Sequence, residues 1–248
     1  MMRVIAVLLF LLSAPPPASA QASDPPRTPE GRPDLQGIWQ VLNAAEWDIQ
    51  DHAARLGVPA GQGVVEGGEI PYQPAAAAKR KENFDSRATA DPVEKCFLPG
   101  VPRATYMPFP FQIFQTPRYV AITYEYAHAV RVIYTDGTPH PESGLAFWMG
   151  DSRGHWEGNT LVVDVTNFTD QTWFDKAGNF HSDALHVVER YTRAGADHLA
   201  YEVTIEDPKV FTRPWKMRMP IYRRQEKPLQ ILEYECGAYL DEVADRKK

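Results

Sequence analysis

Through the C-terminal two-thirds of the chain, apolar and polar residues alternate with a period of two. Residues 119–126 (YVAITYEY), 130–134, 160–168, 185–193, 199–206 and 215–223 each carry the pattern, which predicts strands with one buried face. Residues 155–157 add a short strand, and 231–236 are expected to finish the sheet. Turn signals separate the runs: Ala127-His128-Ala129, Asp136-Gly137, Gly158-Asn159, Gly195 and Asp207-Pro208. The N-terminal third reads differently. Ala45, Ile49, Ala53 and Leu56 have helical spacing in 43–56, 57–68 is a glycine-rich loop, and 75–84 reads as an exposed helix behind Pro74. Four prolines in 96–115 (CFLPGVPRATYMPFPFQIFQ) argue against both a helix and a central strand. Its aromatic residues nevertheless require cover, so this segment is the candidate lip or lid of a pocket.

Many short strands after a helical, loop-rich N-terminal third predict a mainly β chain. The expected architecture is an antiparallel, closed or nearly closed barrel of lipocalin or calycin type, with a β-sandwich as the alternative. Gly37-Ile38-Trp39 fits a first strand whose indole plugs the barrel end, although a simple buried Trp fits equally. No repeat or second core is evident, so residues 35–248 are expected to form one domain.

The first 20 residues change the picture. Arg3, the apolar run 4–12 and Ala18-Ser19-Ala20 have the layout of an export leader, and the run is shorter than a membrane span. A periplasmic or secreted location is therefore expected, with residues 21–34 as an extended linker and no membrane span in the mature chain. In an oxidising compartment the two cysteines, Cys96 and Cys236, are expected to pair. The net charge of −6 and the lack of a basic stripe argue against nucleic acid as a partner.

Candidate chemistry lies on the strands. Glu125, Arg131, Asp164, His186 and either Glu189 or Arg190 are expected to line one barrel, the last choice depending on register. His181, beside Ser182-Asp183, is a second candidate base. As an acid/base set, His186 or His181 would be oriented by Asp164 or Glu189, with Arg131 stabilising negative charge. Tyr106, Phe109, Phe111, Glu125, Trp148 and Trp173 are the candidate substrate-binding residues. His140 and His155 could extend the histidine set, but HxH and HExxH spacings are missing, so no metal is expected. With no phosphate-cradling glycine loop or dinucleotide fingerprint, no cofactor is expected either.

Long motifs carry a resemblance: PDLQGIW (33–39), EIPYQP (69–74), CFLPGVPRATYMP (96–108), HWEGNTLVVDV (155–165), HSDALHVVERY (181–191) and TIEDPKVFTRPW (204–215). Together they resemble a large set of exported bacterial proteins without an established activity, and the start at Gly37 is loosely similar to lipocalin-like proteins. The resemblance implies a site where these motifs meet. The leading expectation is an exported barrel enzyme, a lyase, hydratase or isomerase acting without cofactor on a small aromatic or apolar molecule. The alternatives are a non-catalytic small-ligand-binding protein and a metal-dependent hydrolase.

Overall fold

The computed structural model describes residues 25–142 and 144–238; the expected leader, residues 1–20, lies outside them. Nine strands close a barrel in chain order: β1 (Gly37–Gln40), β2 (Phe111–Gln115), β3 (Tyr119–Tyr124), β4 (Val130–Tyr134), β5 (Asp151–Glu157), β6 (Thr160–Thr166), β7 (His186–Arg193), β8 (His198–Glu206) and β9 (Trp215–Arg223). Neighbours are antiparallel, β9 closing on β1, except that β4 and β5 run parallel through Ile133↔Ser152 and Tyr134↔Arg153. An odd ring cannot alternate direction all the way round, so one parallel pair is obligatory. Gly154 sits where the two strands meet, and a Cβ there would lie 2.8 Å from Ile133 Cγ2.

The period-two pattern acts as the sequence implies. Ile122, Ile133, Val163, Val165, Val187, Tyr191, Tyr201, Val203, Met217 and Ile221 face inward and are buried. Trp39, fully buried, closes the end where β7 and β9 finish. Its indole N–H donates to the Leu35 carbonyl at 2.9 Å, and the guanidinium groups of Arg193 and Arg223 lie 4.9 and 5.7 Å from its ring centre. The barrel is filled: the gap bounded by Leu35, Ile113, Ile122, Ile133 and Tyr191 admits no water-sized sphere.

Five local expectations are corrected. Residues 43–56 form turns, not a helix, with isolated bridges His52↔Gly61 and Arg55↔Val58. The proline-rich segment holds a one-turn helix, α2 (Arg103–Tyr106), and then β2, which pairs on both sides. That strand begins just after Pro110, so no proline interrupts its ladder. Residues 231–236 make only one bridge, Tyr126↔Tyr234, and are no barrel strand. Residues 25–34 double back through Arg27↔Pro33 and dock on the barrel, with Arg193 Nη1 donating to the Asp34 carbonyl at 2.8 Å. The exposed helix, α1 (Pro74–Ala90), is longer than its expected 75–84 and gives way at Asp91-Pro92 to a 3₁₀ turn, Pro92–Lys95.

After β9 the chain crosses the proline-rich segment as a strap, joined to it by the Cys96–Cys236 disulfide with Cα atoms 5.5 Å apart. The bond closes a separation of 140 residues, which in the chain-entropy model stabilises the fold by up to about 5 kcal/mol. The barrel ladder does not include the strap. Cys96→Ser is therefore expected to lower the melting temperature and to free the strap and the segment from 97 to 110 to hydrogen exchange, while the far-ultraviolet β signal stays intact. Hydrogen-exchange mass spectrometry checks this; uniform loss of protection across β5–β8 would contradict it.

Candidate functional site

The proline-rich lip is built locally. Asp91 accepts from the Val93 N–H at 3.0 Å, starting the 3₁₀ turn, and Cys96 then turns the chain at φ 60°. Met107, Pro108 and Phe109 lead into β2. The strap lies against the end of β3, where Leu232 N–H donates to Glu125 Oε2 at 3.0 Å. The Tyr234 ring packs on Phe109 and Tyr126 at centroid distances of 4.9 and 5.7 Å. Between lip, strap and the 45–50 and 175–179 loops lies a cavity of about 320 Å³. Trp47, Val93, Met107, Phe109, Tyr126 and Tyr234 form most of its wall, with Glu46, Glu94 and Lys176 as its charged groups. Beyond Pro108 a more open groove of about 650 Å³ runs between Glu125, Arg224, Pro228 and Leu232.

Arg103 anchors the cavity's floor. Fully buried, it donates to both Glu46 oxygens at 3.0 Å and to both Asp91 oxygens at 2.8 Å. Burial opposes its charge, but Glu46 and Asp91 outweigh that and hold its pKa well above the usual arginine value. At the mouth, Lys176 pairs with Glu94 at 2.7 Å and lies 4.9 Å from the Trp47 ring centre. Its neighbour Asp175 holds that loop: the carboxylate accepts from Ile49, Ala177 and Asn179 backbone N–H groups and from Asn179 Nδ2. Burial, followed by the nearby Asp48, pushes the Asp175 pKa up to about 7 against those hydrogen bonds.

The strand residues expected to share one interior separate into three places: the barrel core, the outer wall and, for Glu125, the open groove beside the strap. Arg131 and Glu189 do face inward, so register selects Glu189 over Arg190. Both Arg131 terminal nitrogens hold the Glu189 carboxylate, Arg131 Nε donates to Ser152 at 2.9 Å, and the Tyr191 and Tyr201 hydroxyls donate to Glu189 at 2.9 and 2.6 Å. This network is sealed in packed core. Asp164 and His186 instead point outward, because they alternate with Val163, Val165 and Val187, which fill the interior. On the outer wall Asp164 bridges two imidazoles, accepting from or facing His186 Nε2 at 2.8 Å and His140 Nε2 at 2.9 Å. His140 Nδ1 in turn reaches Asp151 at 2.6 Å, and Arg153 Nε donates to the same carboxylate at 2.7 Å. Arg190 also lies outside, paired with Glu157 at 2.8 Å. His181, the loop candidate, lies apart from these. Buried between Phe168 and Phe174, it has one ring nitrogen 2.6 Å from the Thr172 hydroxyl and the other 2.8 Å from the Ser182 carbonyl. Burial lowers its pKa and favours the neutral ring.

Of the candidate binding residues, Phe109 lines the cavity and Glu125 the open groove. Tyr106 is buried with its hydroxyl donating to the Phe174 carbonyl at 2.7 Å, and Phe111 is inside the barrel against Tyr124. Trp148 packs on Phe97 at 5.1 Å, while Trp173 pairs with Phe180 in an isolated bridge; neither lines the cavity. Sequence reasoning missed Glu46, Trp47, Lys176 and Tyr234, which come from three segments distant in sequence. Among the described residues, no group of three or more His, Cys, Asp and Glu side chains is arranged to hold a metal ion. Comparison with models of protein families and with curated proteins gives no match.

The raised pKa of Asp175 carries a sign. Between about pH 4, where a free aspartate ionises, and about 7, the folded chain keeps a proton that the unfolded chain has lost. Stability from this residue therefore falls as pH rises through that window and is level above it. Urea unfolding of the wild type and Asp175→Asn across the window is expected to show the wild-type advantage shrinking with pH. A constant or growing difference would contradict the assignment.

Proposed function

We propose that the chain is an exported small-molecule-binding protein whose ligand sits under the proline-rich lip. One observation carries the reading: the barrel interior is packed shut, while a cavity of about 320 Å³ with aromatic walls and a buried carboxylate lies outside it. That volume falls in the range of small-molecule sites, and so does the balance of apolar wall and few polar groups. Export is supported by the leader-like first 20 residues and by a disulfide that helps to build the site. No helix among the described residues is long and apolar enough to cross a membrane. An aromatic fragment panel containing indole, phenol and naphthol, followed by saturation-transfer NMR, is expected to give signals with the wild type. Val93→Trp, which places an indole in the cavity, is expected to reduce them at least about tenfold. A silent panel, or signals unchanged in this variant, would overturn the site.

A second reading rests on the outer wall. Asp164 at 2.8 Å from His186 and 2.9 Å from His140 is an acid/base arrangement open to solvent. It supports the expected cofactor-independent lyase, hydratase or isomerase chemistry there, with His186 as acid/base and Asp164 as its orienting partner. Arg131, Glu189 and His181 have no part in it, being buried elsewhere. If this wall is catalytic, Asp164→Asn lowers turnover by about 10²-fold or more and leaves fragment binding under the lip unchanged. Turnover equal to wild type, followed by mass spectrometry of products, would remove the reading.

A further inference from the structure

We infer that the molecule taken under the lip is an organic cation: an aromatic or apolar body bearing an ammonium group directed at Glu46. The inference rests on the lip cavity being the ligand site and assigns the chemical class of its occupant. Charge is the first ground. One guanidinium, Arg103, faces two carboxylates, Glu46 and Asp91, each bound through both oxygens. The buried triad therefore carries one negative charge in excess. Lys176 and Glu94 at the mouth cancel each other, so the excess remains. Glu46 is the triad member on the cavity wall and 4 % exposed. A carboxylate so poorly hydrated attracts a cation more strongly than one in water.

The walls are the second ground. Phe109, Tyr126 and Tyr234 lie at mutual centroid distances of 5.7, 4.9 and 5.7 Å, and Trp47 adds an indole. Aromatic faces carry negative electrostatic potential and favour ammonium groups over neutral ones. Trp47 already holds such a group, the Lys176 Nζ at 4.9 Å. An anion would instead meet Glu46 and Glu94, with the only lysine of the wall already paired to Glu94. A neutral molecule would leave the excess charge uncompensated.

Three probes of matched size separate the classes: benzylammonium, benzyl alcohol and benzoate, titrated by ligand-observed NMR. For the wild type, benzylammonium is expected to bind about tenfold tighter than benzyl alcohol, with benzoate weakest. Glu46→Gln is expected to erase most of that preference. Because this variant also disturbs buried Arg103, Lys176→Gln gives an independent arm. Removing the resident ammonium from Trp47 should tighten benzylammonium several-fold relative to benzyl alcohol. Equal or tighter binding of benzyl alcohol or benzoate, still blocked by Val93→Trp, would overturn the cation assignment while keeping the cavity as the site. Weaker benzylammonium binding in Lys176→Gln would overturn it as well. No binding of any probe, with the fragment panel also silent, would remove the cavity reading itself.

Discussion

Closing a ring of nine strands forces one pair of neighbours to run in the same direction, and much of the molecule's shape follows from that constraint. The parallel pair falls between β4 and β5, so the chain must return from one end of the barrel to the other between them. The returning segment carries His140 to the outer wall and Trp148 onto Phe97 of the lip. A strictly alternating barrel would need no such crossing there, and neither contact would follow from its topology.

The interior is the second determinant. A barrel of this size either holds side chains or leaves room for one small ligand. Here large side chains from nearly every strand fill it, and the Glu189 carboxylate inside is shared among Arg131, Tyr191 and Tyr201. Such a network resists change, since removing one partner of a buried ion pair leaves a charge without compensation. It also holds β4, β7 and β8 together across the barrel axis. Room for a small molecule thereby lies outside the barrel, where irregular segments meet. The lip, the strap and two loops can form a cavity because none of them is committed to the ladder. The disulfide and the Arg103 triad supply the cohesion that ladder hydrogen bonds would otherwise provide.

The outer wall and the lip cavity differ in what they offer a ligand. The His186–Asp164–His140–Asp151 chain has the right atoms for moving protons but lies open to water. The lip cavity has a shaped, largely aromatic wall, and its carboxylates are engaged with cations. Its shaped wall makes it the better enclosed of the two.

What the sequence determined by itself was periodic and local. Alternation placed β3, β4 and β6 to β9 nearly at their observed bounds, because a half-buried strand leaves its mark in every second residue. The cysteine pair was legible from number and expected compartment, and the mainly β barrel from the many short strands. Tertiary structure decided which face is inside. Asp164 and His186 alternate with valines, and only closure of the barrel shows that the valine side fills the core. It also settled Glu189 against Arg190, since a one-residue change of register reverses every side chain. The helix expected at 43–56 failed because Glu46, Asp48 and Ile49 are drawn into contacts with Arg103, Arg80 and Asp175, which local spacing does not encode. The proline-rich segment and Phe109 were legible as the edge of a pocket, but the rest of the cavity was not, for the same reason: Trp47, Lys176 and Tyr234 share no pattern along the chain and meet only when lip and strap are joined.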